Sequence, residues 1–191
     1  MFPFVEIAYA VRGLWRLLQF DASGLDYFDR SVAGFWRSFR VALLIAPVYA
    51  LLIPRQLDMI KPTVGWQHVI LIQILTYIVA WLLYPTVAYE LCRRIDREAE
   101  YPGYIAVYNW STIILVSASL LVWLPTFAGI TAPETSDALG FLIYHLFYVY
   151  LWFLARTALK IEPLGAVGLI LVDYVLTYSL SSVHIAMLKP Q

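Results

Sequence analysis

Asp173 and His145 are ionisable residues that lie inside long apolar runs of the sequence. Asp173 follows Leu164, the start of its run, by nine residues, and His145 precedes Arg156 by eleven residues. In helices with a rise of 1.5 Å per residue, these spacings put both side chains roughly 14 to 16 Å from the same end of the two runs. We therefore predict that His145 and Asp173 can form a pair, which would lower the cost of burying each of them.

A stripe of polar residues continues from Asp173 along the same run. Thr177, Ser181 and His184 follow at intervals of three or four residues, which places them on one face of a helix. Such residues could line an ion or proton path, or they could form the interhelical hydrogen bonds that hold a small bundle together, worth about 0.6 kcal/mol each. The full set of polar candidates within the apolar runs is Asp173, His145, Thr177, Ser181, His184, Asn109 and Gln73.

Signatures of catalysis and of metal binding are absent from the sequence. It contains no Gly-rich phosphate loop, no G-x-S-x-G elbow and no H-E-x-x-H motif. The single cysteine, Cys92, cannot form an internal disulfide or supply two thiol ligands, and the three histidines are scattered over different segments. We therefore expect a protein that is not an enzyme, with no catalytic residue, no metal and no cofactor.

The composition requires a membrane. Hydrophobic residues make up 62% of the chain and charged residues only 14%, which is more apolar surface than one soluble core can hide. Five runs approach the roughly 20 apolar residues that cross a hydrocarbon core. They are residues 39–54, 69–91, 105–127, 139–155 and 164–186. Because such runs satisfy their backbone amides only as helices, the predicted fold is an all-α transmembrane bundle of about five spans, residues 38–188.

Residues 1–37 are predicted to form two amphipathic helices that lie on the cytoplasmic membrane surface. The apolar face of the first is Phe4, Ile7, Ala8, Val11, Leu14, Trp15 and Leu18, and that of the second is Leu25, Phe28, Val32, Phe35 and Phe39. Ser23 and Asp26 have the spacing of a capping box that starts the second helix. The helices could sense lipid, or they could only cover the ends of the bundle. The candidate membrane-surface residues are Arg12, Trp15, Arg16 and Phe28.

The positions of Lys and Arg predict the orientation of the spans. An N-terminus in the cytoplasm places ten of these residues inside and only Arg55, Lys61 and Lys189 outside, as the retention of positive loops requires. We therefore expect an integral protein of a bacterial inner membrane with a cytoplasmic N-terminus and an exterior C-terminus. Aromatic residues at the start of the third span predict a belt at the interface, with a partner-docking patch as the alternative. They are Tyr101, Tyr104, Tyr108 and Trp110.

A short N-terminal region followed by five closely spaced spans resembles the Yip-domain family of small membrane proteins. The resemblance covers residues 35–186, and residues 13–18, Gly-Leu-Trp-Arg-Leu-Leu, resemble the amphipathic lead of bacterial members. In eukaryotes the family is associated with vesicle traffic and small-GTPase partners, and some similar prokaryotic chains are labelled as transporters. No functional motif matches position by position, so no site residue is carried over.

Two functions follow as hypotheses. In the first, the protein organises the membrane through lipid or protein contacts, as the resemblance implies. Its partners would be the lipid bilayer and either another membrane protein or a second copy of the chain. In the alternative, it is a small transporter or proton-coupled channel that uses Asp173 and His145. The formal net charge is zero, which gives no indication of a nucleic-acid partner.

Reporter fusions test the predicted topology. Fusions after Ala99 and Lys160 should read cytoplasmic, and fusions after Lys61 and Gln191 should read exterior, because the positive residues cluster beside the first pair. Reporters that are active on opposite sides of the membrane make the measurement. A cytoplasmic signal at Gln191 would contradict the odd number of spans.

Overall fold

The computed structural model describes residues 4–189, and this part of the chain contains helices and no strands. In chain order the helices are α1 Phe4–Leu18, a 3-10 helix Ala22–Tyr27, α2 Val32–Ser38, α3 Arg40–Ile60, α4 Trp66–Arg94, α5 Tyr101–Phe127, α6 Pro133–Leu159 and α7 Pro163–Leu188. Proline in the first turn begins α5, α6 and α7, where its missing N–H costs nothing and its fixed φ favours the helix.

Five helical segments are long and apolar enough to cross a membrane. They are α2 with α3, Val32–Ile60, and then α4, α5, α6 and α7, each with 26 to 29 residues. At 1.5 Å per residue these segments are about 39 to 44 Å long, which exceeds the about 30 Å of a hydrocarbon core. The predicted all-α bundle of five spans is confirmed. The helices are longer than the predicted runs because their polar first and last turns were not part of the apolar pattern.

Helix α5 lies at the centre of the bundle. It packs against α6 on one side and against α2 and α3 on another, while α7 packs against both α4 and α6. Its N-terminal half is buried, including Tyr104, Ile105 and Val107. Polar contacts fasten this half to its neighbours: Asn109 donates to Ser38 Oγ at 2.8 Å in α2.

The N-terminal helix folds back on the 3-10 helix through two glycines. A Cβ at Gly24 would lie 2.6 Å from the carbonyl oxygen of Gly13, and a Cβ at Gly13 would lie 2.8 Å from the carbonyl oxygen of Gly24. Only glycine allows the two backbones to approach so closely. The contact buries Leu14 and Leu17 of α1, and α1 also packs against α5 and α6. Its predicted place on the membrane surface stays a prediction.

The prediction of one continuous second amphipathic helix is wrong. The 3-10 helix ends at Tyr27, and a separate α2 begins after Ser31. Ser23 is not the cap that was predicted: the Asp21 carboxylate accepts from the Ser23 amide at 2.9 Å and caps the 3-10 helix. A second cap follows, because Ser31 Oγ accepts from the Gly34 amide at 3.1 Å. Two side-chain caps within ten residues compete with a continuous helix.

Candidate functional site

Asp173 lies in the buried face of α7 and has a single hydrogen-bond partner among the residues that the structure describes. Its side chain is 1% exposed, and the Tyr108 hydroxyl of α5 donates to Asp173 Oδ1 at 3.0 Å. Within residues 4–189, no Lys, Arg or His nitrogen forms an ion pair with this carboxylate. A buried carboxyl group without a cation is costly in its ionised form, which makes Asp173 the centre of the candidate site.

The polar stripe of α7 faces an internal cavity of about 150 Å³. Asp173, Thr177, Ser181 and His184 all line it, as their helical spacing predicted. A water molecule takes about 30 Å³ in the liquid, so the cavity has room for a few waters and for no drug-sized ligand. The other lining residues come from α3, α4, α5 and α7: Tyr49, Gln56, Thr76, Ala80, Leu83, Tyr84, Tyr108, Leu176 and Leu180.

A series of hydrogen-bonded side chains, one imidazole and two amides, lies at the end of the cavity opposite Asp173. His184 Nε2 donates to Gln73 Oε1 at 3.1 Å, and Gln73 Nε2 donates to Gln56 Oε1 at 3.3 Å. This series joins α7 through α4 to α3. Of the predicted candidates His184 and Gln73, His184 lines the cavity, whereas Gln73 does not line it and is hydrogen-bonded to two lining residues, His184 and Gln56.

A second cavity of about 350 Å³ lies on the far side of Gln56, between α3, α5 and α6. We call it the vestibule. Gln56 lines both cavities. Arg55 stands in the vestibule with Nη2 at 3.0 Å from Asp137 Oδ2 and Nη1 at 3.2 Å from Asp58 Oδ2, and its guanidinium lies 4.8 Å from the centre of the Trp123 ring. Gln56 is thus the residue at which the vestibule and the Asp173 cavity adjoin.

Tyr84 and Tyr108 line the other end of the cavity, and Tyr104 belongs to the same cluster of rings. The Tyr84 and Tyr108 rings lie 4.7 Å apart, and the hydroxyls of Tyr84 and Tyr104 are hydrogen-bonded. Tyr84 and Tyr104 are buried. The predicted aromatic belt is therefore wrong for Tyr104 and Tyr108. Their rings form a layer inside the bundle, because α5 is the central helix of the bundle and does not lie on its lipid-facing surface.

The predicted pair of His145 with Asp173 is wrong. His145 Nδ1 is hydrogen-bonded to the Phe141 carbonyl of its own helix at 2.8 Å, and its ring packs on Phe141 and Tyr174. Spacing along the chain fixes the depth of a side chain in its helix, but not the direction in which that helix is rotated. The rotation of α6 takes His145 away from the cavity. Asn109 is also outside it and instead bonds Ser38.

The membrane-surface candidates have different environments. Trp15 is 65% exposed and Arg12 is exposed, but Arg16 donates to Ser23 Oγ at 2.6 Å and lies over the Tyr27 ring. Phe28 is 9% exposed, with its ring against Gly13. The prediction of Phe28 as a surface residue is therefore wrong, because the chain turns its ring inward.

The sequence reasoning missed Tyr108 and Gln56. Tyr108 was assigned to an interface belt, although its interval of four from Tyr104 already placed both rings on one helix face. Gln56 was missed because the predicted span ended at Pro54, whereas α3 passes through Pro54 and ends at Ile60. The signal that could have identified Gln56 was its position, two residues after the predicted apolar run ended.

The fold and the site together define a class. Five apolar helices fit an integral membrane protein, and its interior holds a buried carboxyl group beside a small polar cavity. Among the described residues no group of three His, Cys, Asp or Glu side chains could hold a metal ion. Comparison of the chain with protein-family models, curated proteins and solved structures finds no significant match.

A double-mutant cycle tests the partner of Asp173. Tyr108→Phe leaves the carboxyl group without its donor, and Asp173→Leu leaves the hydroxyl without its acceptor, so each variant should lower the melting temperature in detergent. The double variant should lose less than the sum, with a coupling of about 0.5 to 3 kcal/mol. His145→Ala with Asp173→Leu is the matched control and should be additive. Coupling to His145 and not to Tyr108 would contradict the observed geometry.

Proposed function

We propose that the protein moves protons through Asp173, as a small proton-coupled transporter or channel. One observation carries the proposal: a carboxyl group that is 1% exposed inside an apolar helix has, within residues 4–189, one hydrogen-bond donor and no cation beside it. Leaving such a group ionised costs several kcal/mol. Asp173 is therefore a group that gains or loses a proton according to what enters the cavity, and ionisable residues at this depth are typical of proton relays.

The size of the cavity supports a proton over a larger substrate. Cavities for small organic ligands have volumes of about 300 to 1,000 Å³, and the cavity beside Asp173 has about 150 Å³. Water molecules between Asp173 and Ser181 can pass a proton by exchanging hydrogen bonds, since hydroxyl groups both donate and accept. A metabolite has no room there.

The vestibule gives the cavity an entrance from one side. Gln56 lines both spaces, and rotation of one amide side chain is a smaller change than movement of the tyrosine layer at the opposite end. The vestibule is lined by one carboxylate, Asp137, which is ion-paired with Arg55, and the second partner of Arg55, Asp58, is exposed and does not line the vestibule. These three residues together carry one net negative charge, which favours a cation over an anion near this entrance.

Proton uptake by proteoliposomes tests the proposal. Vesicles that contain pyranine and a potassium gradient are made inside-negative with valinomycin, and internal acidification is recorded. Wild-type protein should acidify the lumen faster than empty vesicles, and Asp173→Asn should reduce the rate to that of empty vesicles, because the amide keeps the shape of the side chain and loses the exchangeable proton. His145→Ala should keep the wild-type rate.

The same variants distinguish lost transport from lost folding. Each must elute as one peak in size exclusion and be incorporated into the vesicles in equal amount. A full rate in a folded Asp173→Asn protein, or a wild-type rate equal to that of empty vesicles, would contradict the proposal.

A second candidate function is membrane organisation through lipid or protein contacts, with the Yip-like resemblance as its origin. It is supported by an apolar stripe of α1 that the bundle does not cover: Phe4, Val11, Trp15 and Leu18 are exposed, at spacings that share one helix face. The buried residues Ala10, Gly13, Leu14 and Leu17 occupy another face. An exposed apolar face of this kind suits the headgroup boundary.

A spin label at position 15 tests whether this stripe meets lipid. Cys92→Ala removes the only cysteine, and Trp15→Cys then takes a nitroxide in the full-length protein in liposomes. Collisions with oxygen should exceed those with a water-soluble nickel complex, because oxygen concentrates in the acyl region. Arg94→Cys, exposed at the end of α4, should show the reverse. A nickel-dominated spectrum at position 15 would contradict the lipid contact.

A further inference from the structure

A cleft of about 490 Å³ lies beside α1. It is bounded by α1, the segment before α2, α2 itself, the start of α3, and α5. Phe28 and Trp110 are among its apolar walls, and its charged residues are Glu6, Asp29, Arg37 and Arg40. Neither the Asp173 site nor the exposed stripe of α1 includes these charges.

The charges of the cleft are divided into two regions. Arg37 forms ion pairs with two carboxylates: its Nε lies 3.7 Å from Glu6 Oε1, and its Nη2 donates to Asp29 Oδ2. Hydrogen bonds from Ser31 lower the pKa of Asp29, so this carboxylate stays ionised at neutral pH. One positive and two negative charges leave a net negative region.

Arg40 forms the second region. It is exposed at the first position of α3 and lines the cleft, and it has no hydrogen-bond or ion-pair partner among the residues that the structure describes. The cleft therefore presents an available guanidinium beside a net negative region, and its four charges sum to zero.

The cleft extends from the headgroup level into the hydrocarbon. Ala106 and Trp110 lie five and nine residues after the start of α5 at Tyr101, which is about 7 to 14 Å along the helix. With 27 residues, α5 is about 40 Å long and exceeds an about 30 Å core by roughly 5 Å at each end. Asn109 is hydrogen-bonded to Ser38, so Arg40 and Trp110 lie at about the same depth, and Arg37 with its two carboxylates lies about one helical turn nearer to the headgroups.

We propose that this cleft binds one zwitterionic phospholipid, with its phosphate against Arg40 and its amino group against Glu6 and Asp29. The net negative region lies nearer to the headgroups than Arg40, as the amine lies outside the phosphate in the lipid, and the apolar walls Phe28 and Trp110 would contact its acyl chains. Guanidinium groups bind phosphate through paired hydrogen bonds. A phospholipid with phosphate as its only charge would leave the net negative region unmatched. The proposal is independent of proton movement at Asp173.

Native mass spectrometry of the full-length protein tests the site. Protein in mild detergent is mixed with equal amounts of phosphatidylethanolamine and phosphatidylglycerol that have the same acyl chains. Wild type should retain one phosphatidylethanolamine in preference to phosphatidylglycerol. Arg40→Gln should weaken this retention about tenfold, the effect of losing one charge-assisted contact. Arg94→Gln, at an exposed arginine outside the cleft, should leave it unchanged.

Two further arms make the result specific. Glu6→Gln should lower the ratio of bound phosphatidylethanolamine to phosphatidylglycerol, since it removes a charge that faces the amine and is no helix cap. Inorganic phosphate at millimolar concentration should not displace the lipid. Equal retention by Arg40→Gln and wild type, an equal loss in Arg94→Gln, no lipid preference in wild type, or displacement by phosphate would each overturn the proposal.

Discussion

Hydrocarbon offers no hydrogen-bond partner, so a polar group inside a membrane-spanning helix must find its partner in another part of the protein. The bundle meets this requirement with interhelical contacts. Ser111 and Tyr150 hydroxyls meet at 2.8 Å between α5 and α6, and Asn109 bonds Ser38 between α5 and α2. These contacts hold α5 at the centre. Among the described residues Asp173 has only Tyr108 as a hydrogen-bond partner, and this shortage of partners is the ground for the proposal that Asp173 exchanges protons.

Helix α5 separates the two cavities that the proposals use. Tyr108 lines the Asp173 cavity, and Trp110, two residues further on, lines the cleft beside α1. At 3.6 residues per turn, a separation of two residues rotates the side chain by about 200°, so the two residues point to nearly opposite sides of the helix. A lipid seated against Trp110 and a proton held near Tyr108 would therefore bias the position of the same rigid element.

The helix face that polar groups share could be predicted from the sequence, and their partners on other helices could not. The four residues of the stripe from Asp173 to His184 line one cavity because they all belong to one helix, whose internal periodicity fixes their common face. The pair of His145 with Asp173 was wrong because it depended on the rotation of α6 against α7, which packing across the whole interface decides. The five spans followed from hydropathy alone, whereas the break at Ser31 depended on two local caps that compete with helix continuation.

The packing of α4 and α7 against α5 determines where a proton pathway through the Asp173 cavity could open. Helix α4 packs mainly against α7, and α5 packs mainly against α6, α2 and α3. The Asp173 cavity lies between these groups, with Gln56 at one end and the Tyr84 to Tyr108 stack at the other. Tyr84 belongs to α4 and Tyr108 to α5, so sliding of α4 and α7 together along α5, which also requires α7 to slide on α6, would separate the two rings. Because Asp173 travels with α7, the same movement would weaken its hydrogen bond to Tyr108. Release of the proton and opening of the tyrosine layer would then be one event, which is what alternating access at a single carboxyl group requires.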